Sequence, residues 1–224
     1  MPLGQWSALI LAAGAGSRFG GTKLLADLAG KPMIARAAEA VCAAGFAETL
    51  VVTGGEHERV AEAVADFPVA TVHAPNWHEG MAASIRAGVS ALRHKGKGLV
   101  LILGDMPLFD AGICVRLAEL AQSSGYAARP LVGDVPGHPV CFLNPVLPDL
   151  LALGGDQGAG GLLRKNADKV GYLPVTDTGA VADIDTPSDL VAVVREWNSR
   201  FTSNKMDSAI SRGDLPNPAA PTGA

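Results

Sequence analysis

Short apolar runs alternate with longer amphipathic segments along most of the chain. A short, continuously apolar run indicates a buried strand, whereas apolar residues spaced three and four apart indicate a helix that covers a sheet. The pattern predicts strands over residues 7–12, 48–53, 70–73, 99–103, 128–132, 140–143 and 170–173. It predicts helices over residues 31–44, 56–65, 80–93, 111–122, 146–153, 158–165 and 187–197.

Strands that alternate with helices predict an α/β fold of three layers, in which helices cover both faces of a mainly parallel, Rossmann-like sheet. Residues 1–200 are expected to form one domain, with a first half to about residue 125 and a second half from about residue 126. Beyond residue 200 the composition shifts to Ser, Asn, Pro and Gly without apolar periodicity. We therefore expect residues 201–224 to form a disordered tail.

The composition argues against several classes of protein. With 18 Lys and Arg against 22 Asp and Glu, the net charge of −4 is opposite in sign to that of most proteins that bind nucleic acids or anionic membranes. Apolar residues make up 48% of the chain, too many for a wholly disordered protein, yet no apolar run approaches the roughly 18 residues of a membrane span. The three cysteines are far apart, so we expect small buried side chains in a cytoplasmic protein.

A glycine-rich loop follows the first predicted strand, within the sequence LAAGAGSRFGGTKLL of residues 11–25. Small residues after a strand allow backbone N–H groups to approach a phosphate chain closely. Arg18 and Lys23 add a bidentate and a point positive charge for the same anion. The loop therefore predicts a phosphate-binding site.

The rival interpretation of this loop is the dinucleotide fingerprint of oxidoreductases, G-x-G-x-x-G. Gly14, Gly16 and Gly20 are spaced one residue too far apart for that pattern, and no acidic residue ends the next predicted strand at the expected distance. An oxidoreductase with a Rossmann-like fold is therefore disfavoured.

Acidic residues follow one buried strand and precede the last predicted helix. Asp105 comes directly after the most apolar strand, and Pro107 keeps the chain from entering a helix at once. Asp183 and Asp185 lie on the same side of an extended segment. Because Mg²⁺ prefers one or two carboxylates together with phosphate oxygens and water, these carboxylates could form a split metal site. The alternative for each is a hydrogen bond to the backbone of its own turn.

Two further segments have candidate binding residues. Gly80 and Ser84 lie near the start of a predicted helix that follows a strand, where a base or ribose can be bound, whereas His78 is expected at the surface. His138 lies in the tight turn GHPV, at the mouth of the second half.

Together these segments resemble the MobA-like nucleotidyltransferases, and most closely the molybdenum cofactor cytidylyltransferases, over residues 8–194. Besides the loop, in which Phe19 replaces the usual Met, the resemblance rests on NWHEGMAASIRAG, GDMPL, GHPV, GDQGA and DIDTPSDL in the family's order. It implies a fold of the nucleotide-diphospho-sugar transferase type. It also implies Mg²⁺-dependent transfer of a nucleotidyl group to a phosphate acceptor, with release of pyrophosphate. The sequence LAAG, where guanylyltransferases have LAGG, implies CTP, and the family implies a molybdopterin acceptor and a molybdoenzyme that receives the product.

The resemblance also implies roles for individual residues. The implied catalytic residues are Arg18, Lys23 and Asp105, and the implied Mg²⁺ ligands are Asp105 and Asp185. The implied nucleotide-binding residues are Leu11, Ala12, Ala13, Gly14, Gly16, Ser17, Arg18, Lys23, Asn76, Gly80, Ser84 and Asp105. The implied acceptor-binding residues are His138, Asp156 and Gly158.

One position departs from the family, because Gly160 stands where an Arg usually follows GDxGA. The identity of the acceptor therefore stays open, and GTP as the nucleotide or a sugar or alditol phosphate as the acceptor are alternatives. An alternative of another class is a carrier or insertion chaperone for the molybdenum cofactor. Such a protein would need no metal pair, so the presence of both Asp105 and Asp185 favours an enzyme.

Overall fold

The computed structural model of the chain describes residues 3–14, 19, 23–94, 96–108, 110, 112–155 and 158–211, with only the backbone for 201–211. The strands within these residues are β1 (Trp6–Ala12), β2 (Asp27–Leu28), β3 (Lys31–Pro32), β4 (Glu48–Thr53), β5 (Ala70–His73), β6 (Gly98–Leu103), β7 (Ala127–Val132), β8 (Val135–Pro136), β9 (Val140–Leu143) and β10 (Val170–Pro174). The helices are α1 (Met33–Ala43), α2 (His57–Ala63), α3 (Met81–Ala91), α4 (Ile113–Ser124), α5 (Leu147–Leu151), α6 (Gly160–Lys165) and α7 (Pro187–Ser211).

The main sheet has the strand order β10-β7-β9-β6-β1-β4-β5, and β8 pairs with β7. β1 is an interior strand and pairs in parallel with both β4 and β6. The pairings of β5 with β4 and of β10 with β7 are also parallel, whereas β9 runs antiparallel to β6 and β7. The sheet is therefore mixed but mostly parallel, as predicted. The carboxyl ends of β1, β4, β5 and β6 meet at one edge, where ligands bind in sheets of this kind.

Helices cover both faces of this sheet. Successive side chains of β1 alternate between two apolar clusters, with Ile10 in one and Leu9 in the other. The first cluster includes residues of α1, α2 and α4, and the second includes residues of α3, α5 and α6. Because each face of β1 packs against helices, every position of the strand is buried, which explains why all its residues except Ser7 are apolar. The three-layer α/β/α fold is confirmed.

The sequence pattern missed the short pairings that form outside regular alternation. Residues 31–32 were expected to begin a helix, but β3 pairs with β2, and α1 begins at Met33. The segment between β7 and β9 contains β8, which pairs with β7, where only a loop was expected. The last helix ends at Ser211, so the boundary expected for the tail at residue 201 lies inside α7. Residues 212–224 lie outside the described residues.

The cysteine prediction holds for two of the three residues. Cys114 and Cys141 are fully buried in the first apolar cluster, whereas Cys42 is half-buried, and all three are free thiols. Burial raises the pKa of the Cys114 thiol to about 12, so it remains protonated at neutral pH. Within the described part of the chain, no helix has both the length and the apolar character needed to cross a membrane.

Candidate functional site

A cleft of about 510 Å³ opens where β1 and β6 end. It is lined by Leu11, Ala13, Gly14, Trp77, His78, Gly80, Met81, Ser84, Leu103 and Asp105. Six of the implied nucleotide-binding residues belong to this lining: Leu11, Ala13, Gly14, Gly80, Ser84 and Asp105. Backbone of one strand end, the start of α3 and a carboxylate are thus brought together at the carboxyl edge of the sheet.

Lys23 joins the two carboxylates that the sequence proposes as metal ligands. Its Nζ lies 2.7 Å from Asp105 Oδ2 and 3.0 Å from Asp185 Oδ1. The Lys23 side chain is only 12% exposed, compared with 23% for Asp105 and 44% for Asp185. Three residues from distant parts of the chain therefore form one charged cluster, which we call the Lys–Asp cluster. It lies beside the cleft, because Asp105 belongs to both.

The Lys–Asp cluster keeps its lysine charged. Burial by itself lowers the pKa of the Lys23 ammonium, but hydrogen bonds and charge from Asp105 and then Asp185 more than offset this effect. The resulting pKa lies above the ordinary value of 10.5. At neutral pH one positive and two negative charges are therefore held in contact.

Close approach of β1 and the chain after β6 positions Asp105. The N–H group of Gly104 donates to the Leu11 carbonyl at 2.9 Å. A Cβ on Gly104 would lie 2.9 Å from Ile34 Cδ1 and 3.0 Å from the Leu11 oxygen, so a side chain does not fit there without displacement. Met106 closes a turn by donating to the Leu103 carbonyl at 3.3 Å. Asp105 therefore projects from a tight turn at the strand end, as the sequence predicted.

Asp185 is positioned by an apolar anchor and by the cap of α7. Ile184 is fully buried in a cluster with Leu28 and Leu108, while Asp183 on its other side is exposed. Asp189 Oδ2 accepts a hydrogen bond from the Asp185 N–H group at 3.1 Å.

The sequence TPSD predicts a capping box at this helix start, and the structure contains one. Asp189 Oδ2 accepts from the Thr186 N–H group at 2.7 Å, and the Asp189 N–H group donates to Thr186 Oγ1 at 3.3 Å. The hydrogen bonds from the Thr186 side chain and backbone lower the pKa of Asp189. The cap of α7 thus also fixes the backbone of Asp185, which carries a carboxylate of the Lys–Asp cluster.

The described part of the glycine-rich loop lies at the end of β1. Ala12 and Ala13 are buried at the end of β1, and Gly14 is exposed, with open space where a Cβ would lie. Gly16, Ser17 and Arg18 lie outside the described residues, so their implied contacts remain predictions.

The segment before α3 divides between two cavities. Gly80 has φ +112°, a backbone conformation that favours glycine, and leads into α3, where Ser84 is buried against the cleft. Asn76 instead lines a neighbouring cavity of about 290 Å³. Residues 77–79 form a 3₁₀ turn between the two positions, which turns the chain and separates Asn76 from the cleft. Asn76 is therefore not part of the cleft lining that contains Gly80 and Ser84, and its implied role in nucleotide binding stays a prediction.

Sequence reasoning missed two large side chains of the cleft, Trp77 and Met81. The Trp77 ring packs so closely on the chain after β4 that a Cβ on Gly54 would lie 2.8 Å from its Cγ. A Cβ on Gly54 would also lie 2.3 Å from the Ala13 carbonyl oxygen. A Cβ on Gly55 would likewise lie 2.8 Å from Cζ2 of Trp77, so the two adjacent glycines are the signal in the sequence that could have indicated this close packing.

The second half of the chain meets the cleft at Gly158. A Cβ there would lie 2.6 Å from the sulfur atom of Met81. His138 lies in the turn before β9, and its backbone N–H group donates to the Ala180 carbonyl at 2.7 Å. Burial, with a contribution from Arg129, lowers the pKa of His138 to about 4, and its buried Nδ1 has no hydrogen-bond partner among the described residues. Asp156 lies outside the described residues.

The donor set of the Lys–Asp cluster fits a hard divalent cation that is also bound by a ligand. Asp105 and Asp185 contact the same ammonium nitrogen, so their oxygens are close enough to share one cation. Among the described residues, no group of three or more His, Cys, Asp or Glu could hold a metal. Two carboxylates leave most positions of an octahedral ion to phosphate oxygens and water, which is the usual arrangement for Mg²⁺.

Comparison with known proteins gives the chain its family. The model of the MobA-like NTP transferase domain matches residues 8–170. The bifunctional protein GlmU of Acidiphilium cryptum is 36% identical over 139 residues, which is 61% of this chain but only 30% of that protein. The chain thus spans less than a third of this relative. The nicotine blue oxidoreductase of Paenarthrobacter nicotinovorans is 30% identical over 193 residues, or 80% of this chain and 92% of that protein.

Solved structures share the fold. Rv0371c of Mycobacterium tuberculosis is 26% identical, has a TM-score of 0.76, and is matched over 86% of this chain and 99% of its own. Molybdopterin-guanine dinucleotide biosynthesis protein A of Archaeoglobus fulgidus, at 21% identity and a TM-score of 0.67, covers 87% of this chain and 100% of its own and supports the fold alone. Since the family model covers most of the chain, the protein belongs to the MobA-like NTP transferase family.

Proposed function

We propose that this protein transfers CMP from CTP to a phosphate acceptor of the molybdopterin type and releases pyrophosphate. The observation that carries the proposal is the Lys–Asp cluster beside the cleft. Transfer of a nucleotidyl group requires positive charge and accurate positioning rather than a protein nucleophile. A lysine and two carboxylates at the carboxyl ends of central strands can supply both.

Asp105 and Asp185 would hold the divalent cation. When bound, Mg²⁺ would neutralise charge on the phosphates of the nucleotide. A complex of the mycobacterial Rv0371c with manganese, at 25% identity and a TM-score of 0.74, supports a divalent cation in proteins of this fold. The pair in this chain is held by the tight turn at Gly104 and by the cap of α7, so neither carboxylate depends on the cation for its position.

The chain's own residues would bind the nucleotide along the cleft. An oxygen of the acceptor phosphate attacks the α-phosphorus, and the bond from that phosphorus to the β-bridging oxygen breaks, so pyrophosphate leaves with the electron pair. Lys23 supplies positive charge next to the phosphates, together with Arg18 of the loop. Gly80 and Ser84 border the sugar and base at the start of α3.

The preference for CTP would arise at Ala13. This residue lies in the cleft wall beside Gly54 and Trp77, where its backbone is held by close packing. A methyl group at Ala13 should crowd a purine but leave backbone groups free to pair with cytosine. Shape differences of this size in a pocket discriminate by about 1–3 kcal/mol.

The acceptor would bind on the side of Gly158. In this chain Gly160 begins α6, and a Cβ there would lie 3.4 Å from Nη1 of Arg164, one turn further along the helix. The guanidinium of Arg164 thus lies over the position at which related sequences usually have an arginine. This arrangement supports a phosphate-bearing acceptor even though residue 160 has no side chain.

A second candidate function is that of an oxidoreductase. It is favoured by one observation, the match to nicotine blue oxidoreductase over 92% of that protein's length. The Lys–Asp cluster favours nucleotidyl transfer instead, because a hydride transfer does not require a cation site next to phosphates. The two candidates differ in their products and can be separated in one set of assays.

The test measures pyrophosphate release by the purified protein with Mg²⁺ and each of CTP, GTP and ATP. Each nucleotide is supplied alone, with molybdopterin, and with a sugar or alditol phosphate. Oxidation of NADH and NADPH is followed in parallel reactions that contain a redox dye as electron acceptor. We expect pyrophosphate with CTP and molybdopterin, at a rate roughly 5- to 150-fold above that with GTP. Binding of molybdopterin without release of pyrophosphate from any nucleotide would support a carrier. Oxidation of NADH or NADPH in the absence of CTP, GTP and ATP would support an oxidoreductase.

A further inference from the structure

Lys23 occupies the position between two carboxylates that a divalent cation would need. Its ammonium nitrogen contacts Asp105 at 2.7 Å and Asp185 at 3.0 Å. A magnesium ion bonded to both carboxylates would have metal–oxygen distances of about 2.1 Å and would therefore lie at nearly the same point. An ammonium group and a divalent cation cannot share that point, because of both their size and their charge. Binding of the cation must displace Lys23 from the pair.

Only the side chain of Lys23 is free to make this move. Its carbonyl accepts a hydrogen bond from the Ala26 N–H group at 3.1 Å, and the next residue, Leu24, is 7% exposed in the first apolar cluster. The backbone at Lys23 is thus fixed, while its side chain has a flexible four-carbon stem. The displaced ammonium group must find a new negative partner within reach of that stem.

The cleft provides that partner when a nucleotide is bound. Asp105 lies in the cleft wall and in the Lys–Asp cluster, so the phosphates of a nucleotide in the cleft would lie next to the displaced ammonium group. Without a nucleotide, displacement would leave a buried charge without a counterion, which is costly. Cation binding should therefore be weak in the free protein and strong once phosphates are present.

We propose that Lys23 is an exchangeable counterion that couples the binding of cation and nucleotide. In the free protein it holds Asp105 and Asp185 together, and it moves to the nucleotide phosphates when a divalent cation takes its place. This inference rests on the proposed function, because it needs a phosphate-bearing ligand in the cleft. Coupling between two ligands is reciprocal, so each should raise the affinity of the other by the same factor.

The test is titration of Mn²⁺, followed by the electron paramagnetic resonance signal of the free ion. The proteins are the wild type, Lys23→Met and the control Lys31→Met, each with and without the non-transferable analogue α,β-methylene-CTP. Lys31 is a suitable control because it also pairs with a carboxylate, that of Glu39 at 3.0 Å, but is 44% exposed. Should Lys23→Met fail to fold, as judged by circular dichroism, Lys23→Gln replaces it.

In the absence of the analogue, we expect Lys23→Met to bind Mn²⁺ at least about fivefold more tightly than the wild type, because the competing ammonium group is gone. In the wild type the analogue should tighten Mn²⁺ binding by a factor within the usual range of about 5 to 150. In Lys23→Met this factor should be smaller but still above one, because phosphate oxygens also bind the metal. The control Lys31→Met should behave as the wild type. Equal or weaker Mn²⁺ binding by Lys23→Met without analogue would overturn the proposal.

The two failures can be told apart. Loss of the proposed function would appear as a wild-type protein to which the analogue does not bind even with saturating Mg²⁺, measured by calorimetry. Failure of the exchange would appear as Mn²⁺ binding by Lys23→Met, without the analogue, that is no tighter than binding by the wild type. That titration requires no nucleotide. An unchanged coupling factor in Lys23→Met, with the analogue bound, would also overturn the exchange.

Discussion

Substitution of Asp105 by asparagine should destabilise the metal-free protein. If Asp105 and Asp185 faced each other without a cation between them, removal of one charge would relieve repulsion and stabilise the protein instead. In the structure, however, Lys23 Nζ lies between them, 2.7 Å from Asp105 and 3.0 Å from Asp185, and three charges of alternating sign attract. The amide of the variant would keep the shape of the side chain but lose the charge that pairs with Lys23.

The size of this loss follows from the partial burial of the pair. Exposed ion pairs contribute about 0.2–1 kcal/mol, and removal of one partner of a buried pair costs about 3–5 kcal/mol. The Lys23 and Asp105 side chains are 12% and 23% exposed, and Lys23 keeps Asp185, so we expect Asp105→Asn to lower the free energy of unfolding by about 1–2 kcal/mol. For a chain of this length that corresponds to a fall in Tm of about 2–8 °C.

The assay is thermal unfolding in the presence of a chelator, with Asp183→Asn as the matched control. Asp183 is exposed and lies two residues from Asp185, so its substitution should change stability by less than about 0.5 kcal/mol. The raised pKa of Lys23 lies above 10.5, so its stabilising charge is fully present below that pH and is lost only as the pH rises through the folded pKa. The deficit of Asp105→Asn should therefore be the same at pH 7 and pH 9. A rise in Tm would refute the assignment of Lys23 as the counterion.

Three further substitutions test other parts of the structure. The pKa of His138 is about 4 in the folded protein and 6.5 ordinarily, so the unfolded chain binds the proton more readily. His138 should therefore lower the free energy of unfolding by about 2–3 kcal/mol as the pH falls from 6.5 to 4. Urea unfolding at several pH values should show a smaller dependence on pH for His138→Asn. Gly54→Ala would place a methyl group 2.3 Å from the Ala13 carbonyl oxygen, so calorimetry should show weaker CTP binding, and unfolding should show a loss of about 1–3 kcal/mol. Asp189→Ala removes the acceptor of the Asp185 N–H group. It should lower the free energy of unfolding by about 1 kcal/mol and weaken Mn²⁺ binding measured with CTP. Unchanged Mn²⁺ affinity would exclude a positioning role for Asp189.

Several strands could be predicted almost to the residue, and most of these are continuously apolar. β4, β5 and β9 begin and end at the residues predicted, and β6 begins one residue early, at Gly98. Burial on both faces leaves a strong signal in the sequence of β4, β6 and β9, because nearly every position is apolar, whereas β5 lies at the edge of the sheet and is mostly exposed. The pairing of β2 with β3 leaves none, because two residues in each strand form no period and are held by tertiary contacts.

The convergence of Asp105 and Asp185 could be anticipated from their places at a strand end and before a helix. The position of Lys23 between them could not, because it depends on side-chain packing around Leu24 rather than on spacing. The separation of Asn76 from the lining of the cleft has a similar cause. A single 3₁₀ turn over residues 77–79 separates it from Gly80, and such turns have no distinctive sequence period.

The most direct measurement of the central claim is a crystal structure with Mn²⁺ and α,β-methylene-CTP bound. Anomalous scattering would locate the metal without reference to the protein. We predict carboxylate oxygens of both Asp105 and Asp185 at about 2.1–2.2 Å from the metal, a phosphate oxygen in its coordination sphere, and Lys23 Nζ in contact with the phosphates. A metal more than about 5 Å from both carboxylates would contradict the claim, since direct bonds to Mg²⁺ or Mn²⁺ are less than half that length.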